Sequence, residues 1–268
     1  MQKVILVTGS TDGIGFETAK MLVSQGHHVL LHGRNPAKLN DVEAQLKQLQ
    51  GNAKIETYVA DLSKLSEVDV LAKEITAKHN FLDALINNAG VYNAPVATTG
   101  DGFDVRYAVN TFAPYLLTKA LLPLLGQNGR VINLSSAAQA PVDLSALAGD
   151  KPLSAGDAYA QSKLAITMWS RSMGLALKES GPMIASVNPK SLLGSKMVKN
   201  AFGIAGSDLS VGADILVRGA LSDEFANAHG LYFDNDIGQF GQPHPDALND
   251  QKVQAVMTAM DSALANFQ

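Results

Sequence analysis

The chain has no cysteine. Disulfides, thiolate nucleophiles and cysteine-ligated zinc are therefore excluded, which suits a reducing compartment and leads to the expectation of a cytoplasmic protein. Concentrated basic charge is missing too: 21 lysines and arginines stand against 25 acids, for a net charge of −4. Nucleic acid is not an expected partner, because its phosphates need clustered cations. The longest strongly apolar stretch, APYLLTKALLPLLG (113–126), carries Lys119 and two prolines. It falls short of the ~20 apolar residues that span a bilayer, so no integral membrane segment is expected. The opening MQKVILVTGS meets glycine too early for the apolar core of a signal peptide. No carboxylate or histidine spacing suggests a metal. His27 and His28 read as surface residues, His244 as a turn residue and Trp169 as packing.

What the chain does have is alternation. Apolar runs at 3–8, 27–33, 54–60, 81–87, 130–135, 183–188 and 229–233 read as strands. Several are apolar throughout, as strands covered on both faces are. Helical periodicity marks 13–25, 36–50, 64–79, 102–126 (interrupted near Pro114), 157–180, 208–222 and 246–266. This order predicts an α/β fold of the Rossmann type, doubly wound, with a seven-stranded mainly parallel sheet and helices on both faces. No linker or repeat divides the chain, so one domain is expected. Its nucleotide-binding half covers about 1–90, its catalytic and substrate loops 91–245, and its C-terminal helix about 246–266.

The segment VTGSTDGIG (7–15) joins the first strand to the first helix. Gly9, Gly13 and Gly15 permit a tight turn and close backbone approach, and the helix beyond offers N–H groups and a positive dipole end to a pyrophosphate. A glycine-rich turn with no ligand is the alternative; the strand before and the helix after favour a nucleotide. The second strand ends HGRN (32–35). Gly33 stands where NAD-binding sites usually place an acid, and Arg34 follows it with a guanidinium suited to a 2′-phosphate. NADP(H) is therefore expected over NAD(H). Asp12 weighs the other way, since a base often stands there in phosphate-preferring sites.

YAQSK (159–163) sets Tyr159 and Lys163 one helical turn apart. Together with TGSTDGIG (8–15), Asp61–Leu62, NNAG (87–90), Asn110 in VNTFAPYLLT, LSSAAQ (134–139) and Asn188–Pro189, this pattern resembles the short-chain dehydrogenase/reductase family over residues 3–235. DGFDVRYAVNTFAPYLLTKALLPLL (101–125) is most similar to its retinol-dehydrogenase and WW-domain-oxidoreductase branch, although no WW segment is present.

The resemblance implies a carbonyl–alcohol oxidoreductase in which hydride moves to or from the nicotinamide. Tyr159 would be the general acid/base, Lys163 would lower its pKa and bind ribose, Ser136 would steady the substrate oxygen, and Asn110 would support a proton relay. Ser135 is the neighbouring alternative to Ser136. Cofactor contacts would come from Gly9, Ser10, Thr11, Gly13, Ile14, Gly15, Arg34, Asn35, Asp61, Leu62, Asn88, Ala89, Gly90, Tyr159, Lys163, Pro189 and Leu192. The partner is a small carbonyl or alcohol of modestly apolar character, and a homo-oligomer through 110–126 and 157–180 is a further expectation by analogy.

Two departures from the family pattern stand out. Ser136 and Tyr159 are 23 residues apart rather than about a dozen, which predicts a longer loop at 137–157. Lys190 replaces the glycine that usually follows Pro189, which predicts a shifted loop. Specificity is expected to lie in 137–157, 189–207 and 234–247. A nucleotide-sensing protein with little turnover and a double-bond reductase are the rival readings.

Overall fold

The runs that are apolar at every position become the centre of a sheet. A computed structural model describes residues 1–49 and 51–267. Its strands are β1 (Val4–Val7), β2 (His28–Gly33), β3 (Lys54–Val59), β4 (Ala84–Asn87), β5 (Arg130–Leu134), β6 (Met183–Asn188), β7 (Tyr232–Asp234) and β8 (Gln239–Gly241). They lie in the order β3-β2-β1-β4-β5-β6-β7-β8, parallel except for the β7–β8 pair.

Successive strand positions point to opposite faces, and both faces are covered. Ile5, Val7, Val29 and Leu31 belong to the core beneath α1 (Gly13–Ser24), α2 (Pro36–Leu46) and α9 (Leu209–Leu221). Leu6, Leu30, Leu85 and Val131 belong to the core beneath α3 (Leu65–Lys78), α5 (Ala113–Leu125) and α7 (Ala155–Ala176).

The expected seven strands are one too few. β8 has only three residues, too short to show a period, and Gly238 at φ 69° turns the chain back onto β7. The expected helix at 36–50 ends at Leu46, and Gln50 lies outside the described residues. The interruption near Pro114 takes the form of a π turn, Ala108–Phe112, between the short α4 (Val105–Tyr107) and α5. Pro114 has no N–H for the carbonyl four residues back, that of Asn110, and a π turn moves the donor one residue on.

One helical stretch among the described residues, Val105–Leu125, is long and apolar enough to cross a membrane, and 78% of its apolar window is buried inside this fold. The C-terminal helix α10 (Asp250–Ala263) packs against α7 with Val253, Val256 and Met260 buried. Its Asp261 accepts a hydrogen bond from Tyr115 of α5 at 2.9 Å. The last helix thus touches both segments, 110–126 and 157–180, through which a second copy was expected to pack.

Candidate active site

The strand order reverses between β1 and β4. Loops leaving the carboxyl ends of such strands diverge and leave a crevice, the usual ligand position in open α/β sheets. A cavity of about 780 Å³ opens there.

The glycine loop forms its floor. A Cβ on Gly15 would stand 2.3 Å from the Gly9 carbonyl oxygen and 2.3 Å from Asn88 Nδ2, and Gly9 itself has φ 65°. Neither position accepts a side chain. Gly13, Ile14 and Gly15 bring the N-terminus of α1 to the cavity, and Asp12 caps the helix by accepting from the Gly13 N–H at 2.9 Å. Asn88 lines the cavity and also donates to the Thr8 carbonyl at 2.8 Å, with Ala89 and Gly90 continuing the wall.

Ser10 does not reach the cavity. It is fully buried, its hydroxyl accepts from the His32 N–H at 2.9 Å, and its own N–H donates to the His32 carbonyl at 2.9 Å. The residue expected to touch cofactor instead ties the loop to β2.

His32, which no motif singles out, is the other half of that tie. The Gly9 N–H lies 3.1 Å from His32 Nδ1, which must therefore be the acceptor, so Nε2 carries the proton and donates to the Ala60 carbonyl at 3.1 Å. Burial pushes the ring's pKa down to about 4, so it is neutral. A polar residue near the end of the buried apolar strand β2 was the available signal.

At the adenosine end, Thr11, Gly33, Arg34, Asn35, Asp61 and Leu62 line the cavity as expected from their positions, joined by Lys38. Arg34 and Lys38 are exposed. Asn35 caps α2, accepting from the Lys38 N–H at 3.1 Å. One oxygen of Asp61 is held by Ser63 at 2.8 Å. Asp12, whose negative charge faces this region, forms an ion pair with Lys196.

At the opposite end, Ser136, Tyr159 and Lys163 meet on the same cavity. Tyr159 and Lys163 share a face of α7, and Ser136 lies two residues past the end of β5. Burial pushes the Tyr159 phenol up from its ordinary value, a hydrogen bond with the Ser136 hydroxyl pulls it down, and the nearby Tyr92 adds to the rise. Ser135, the alternative, is buried and bonds the Lys163 carbonyl at 3.0 Å and Thr167 Oγ1 at 2.7 Å. It braces α7 against β5.

Lys163 is 3% exposed and donates from Nζ to the Leu134 carbonyl at 2.6 Å. Burial brings its pKa down to about 7. The expected depression of the Tyr159 pKa by Lys163 is not what this arrangement produces. The amine stands 5.7 Å from the ring centre, and the phenol's pKa is set first by its burial.

Asn110, carried on the π turn, accepts from the Val91 N–H at 2.8 Å and donates to the Val91 carbonyl and to Ser162 Oγ, each at 3.0 Å. It lies behind the cavity wall at Gly90, where a Cβ would stand 3.4 Å from Asn110 Oδ1 and 3.7 Å from Lys163 Nζ. Asn110 and the lysine amine thus both border Gly90, and Asn110 does not line the cavity.

The loops depart most from expectation. Residues 137–157 form α6 (Leu144–Leu147), whose Ala146 and Leu147 are buried beside α10. Gln161 fixes this loop by accepting from the Asp143 N–H and the Tyr107 hydroxyl, both at 2.8 Å. Only Ala137, Ala138 and Gly156 of the loop face the cavity, and no residue of 234–247 does. Most of the long insertion thus packs away from the cavity.

Residues 189–198 lie over the mouth instead, with Pro189, Leu192, Met197 and Val198 facing in and α8 (Lys196–Phe202) running onward. At Lys190 the chain keeps a positive φ in spite of the side chain. The lysine holds φ 119° and Leu192 holds φ 55°, conformations costing about 1–3 kcal/mol each unless the surroundings impose them. Here the β7–β8 turn imposes them: Asn235 donates to the Pro189 carbonyl at 2.9 Å, and Asp236 accepts from the Ser191 N–H at 2.9 Å and its hydroxyl at 2.6 Å.

Tyr92 was also missed. Its ring lies 5.0 Å from that of Tyr159 at 56°, and it lines the cavity. An aromatic two residues past NNAG has no helical or strand period to mark it.

A glycine-floored crevice at the sheet's switch point, with Ser136, Tyr159 and Lys163 at one end, defines a nucleotide-binding α/β protein of the doubly wound class. The short chain dehydrogenase family model matches residues 3–203, and the chain belongs to that family. It is similar to human retinol dehydrogenase 11, with 36% identity over 203 residues covering 74% of this chain and 64% of that protein. Human polyprenol dehydrogenase is 34% identical over 209 residues, covering 75% of this chain and 63% of its own length. The chain thus spans just under two thirds of these relatives. Among solved structures, a metagenomic short-chain oxidoreductase in complex with NADP superposes with a TM-score of 0.62 at 29% identity, covering 81% of this chain and 90% of that one.

Proposed function

We propose that the protein is an NADP(H)-dependent oxidoreductase that interconverts a carbonyl and an alcohol. The observation that carries this reading is the meeting of Ser136, Tyr159 and Lys163 on a cavity whose other end has a backbone-only floor and exposed cations. The residues fit a dinucleotide: bare Gly9 and Gly15 let the loop pack tightly on itself and on Asn88, and Gly13, Ile14 and Gly15 bring the N-terminus of α1 to the cavity. The nicotinamide of the bound dinucleotide supplies or accepts the hydride.

The rest belongs to the chain. In reduction, Tyr159 gives its proton to the substrate oxygen, and in oxidation it takes that proton back. Its raised pKa keeps it protonated at neutral pH, as an acid must be. The Ser136 hydroxyl steadies the oxygen as negative charge develops on it. Lys163, buried beside Tyr159 and near Asn110, holds the ribose and passes protons inward from that side. Gly9, Thr11, Gly13, Ile14, Gly15, Asn88, Ala89, Gly90, Pro189 and Leu192 hold the dinucleotide by shape, and Asp61 and Leu62 take its adenine. Val91, Val109, Met197 and Val198 give the substrate end an apolar lining, in keeping with the retinol and polyprenol of the relatives' names.

Arg34 and Lys38 favour the 2′-phosphate, and the Asp12–Lys196 pair neutralises the acid that would oppose it. Arg34→Asp is expected to weaken NADP+ binding by about 10–100-fold, the loss of one charge-assisted contact, while leaving NAD+ binding within a few-fold. Titration of both cofactors into both proteins measures this, and an unchanged ratio removes Arg34 from the cofactor site.

The function is tested by following NADPH oxidation across aldehydes and ketones of rising chain length. Turnover that grows with apolar length is the expected result. Tight NADPH binding with no turnover anywhere in the series would replace the enzyme with a nucleotide sensor.

A further inference from the structure

The boundary between the glycine loop and β2 contains a contact that no catalytic role explains. A Cβ built on Gly33 would stand 2.5 Å from Thr11 Cγ2, well inside any real carbon–carbon contact. Gly33 is not at positive φ, so its backbone alone would accept any residue. The neighbouring methyl group keeps it bare.

Position 33 ends β2 at the adenosine end of the cavity, where a carboxylate would accept hydrogen bonds from both ribose hydroxyls of an unphosphorylated dinucleotide. We propose that Thr11 is a specificity-determining residue of this protein. Its methyl group occupies the root of the side chain that NAD would need at position 33, and so leaves that end of the cavity to Arg34 and Lys38. This rests on the dinucleotide-dependent function proposed above.

Thr11 cannot simply yield. The chain on its N-terminal side is fixed to β2 by the Ser10 N–H to His32 carbonyl bond at 2.9 Å and by the Gly9 N–H to His32 Nδ1 bond at 3.1 Å. On the other side Asp12 is committed to the α1 cap. Backbone retreat at residue 11 would break one of these. Rotation about χ1 is restricted in a β-branched residue, and only the rotamer that turns Hβ toward Gly33 would clear the site. Removing Cγ2 is different. The Thr11 Cβ lies 3.6 Å from the position of the new Cβ, an ordinary contact, so alanine at position 11 would admit a side chain at position 33.

Cofactor preference is therefore set jointly by residues 11 and 33, and a single exchange at either one does not reverse it. The test uses the full chain in four forms: wild type, Thr11→Ala, Gly33→Asp and the double variant. Thermal midpoints without cofactor and dissociation constants for NAD+ and NADP+ are measured for each. Thr11→Ala, whatever it costs in affinity for either cofactor, should leave the ratio of NADP+ to NAD+ affinity within about twofold of wild type. Gly33→Asp should lower the midpoint and weaken both cofactors at least tenfold. The double variant should regain most of the midpoint and bind NAD+ at least tenfold more tightly than Gly33→Asp does, with NAD+ now preferred.

Independent effects overturn the proposal: Gly33→Asp with an unchanged midpoint and NAD+ affinity equal to that of the double variant. So does a wild type that binds NAD+ as tightly as NADP+. If the aspartate variants do not fold, Gly33→Ala, made alone and together with Thr11→Ala, decides the steric part. Destabilisation only where the threonine is retained supports it, and equal destabilisation in both settings overturns it. Because the midpoints need no cofactor, failure of the wild type to bind any dinucleotide would remove the proposed function and remain distinguishable from failure of the 11–33 coupling.

Discussion

Tyr159→Phe is expected to lower kcat for carbonyl reduction by at least about 10²–10⁴-fold, the usual range for losing a positioned acid/base, with NADPH affinity changed less than a few-fold. The phenylalanine keeps the ring that packs 5.0 Å from Tyr92, so the cavity keeps its shape and only the proton donor goes. The raised phenol pKa also sets the pH dependence. Reduction needs the protonated form and should hold up through neutral pH, declining only in alkaline solution; oxidation needs the deprotonated form and should rise across that same range. Rapid-mixing kinetics with NADPH and an apolar aldehyde, run across pH, measures both. A Phe variant within tenfold of wild type would show that the proton comes from elsewhere, and Tyr92 would be the next residue to replace.

His32 carries the second large effect, on stability. Its ring has a folded-state pKa of about 4 against an ordinary 6.5. A depressed histidine favours the folded protein fully above the unfolded value, because the unfolded chain alone takes up a proton as pH falls below 6.5. That contribution is lost progressively down to the folded pKa near 4 and changes no further below it. The interval corresponds to about 3 kcal/mol at about 1.4 kcal/mol per pH unit. Denaturant titrations of the cofactor-free protein between pH 7 and 4 should show this fall. His32→Asn, polar but without a titrating ring, should flatten it. If that variant does not fold, an NMR titration of the wild-type ring settles the matter: a ring that protonates near 6.5 refutes the assignment. Loosening of the Gly9 bond to Nδ1 needs a proton on the folded ring, so dinucleotide affinity should hold through the interval over which stability falls and drop only near pH 4.

Sequence pattern reached the sheet and the reaction centre because both are periodic or compact. Parallel strands buried on both faces read as unbroken apolar runs, and Tyr159 and Lys163 lie one helical turn apart. Ser136 was separable from Ser135 only in three dimensions: both border the cavity, but the Ser135 hydroxyl is bonded to α7 while that of Ser136 meets the Tyr159 phenol. Ser10 was misplaced for the same reason: within the glycine loop, nothing local distinguishes a side chain facing the cavity from one facing β2. The long insertion at 137–157 suggested a loop that carries specificity, yet its apolar residues found α10, an element about a hundred residues further along the chain. Lys190 was expected to avoid a glycine-like conformation because the penalty is local and visible, whereas the bonds from Asn235 and Asp236 that oppose it come from a hairpin too short to predict. Pairings between distant segments decided every one of these errors.

The ion pair between Asp12 and Lys196 joins the two lips of the cavity, one on the glycine loop and one on α8. On the proposed function a dinucleotide passes between those lips, so the pair must part at each entry and exit. Being solvent-exposed, it holds them together by about 0.2–1 kcal/mol, a bias of up to about fivefold toward the closed form. Dissolved salt weakens that clasp and speeds opening. The same salt screens the pull of Arg34 and Lys38 on the incoming phosphates and slows capture. The two kinetic effects oppose each other, so the rate of cofactor exchange should be buffered against ionic strength to a degree that a site relying on exposed cations alone is not.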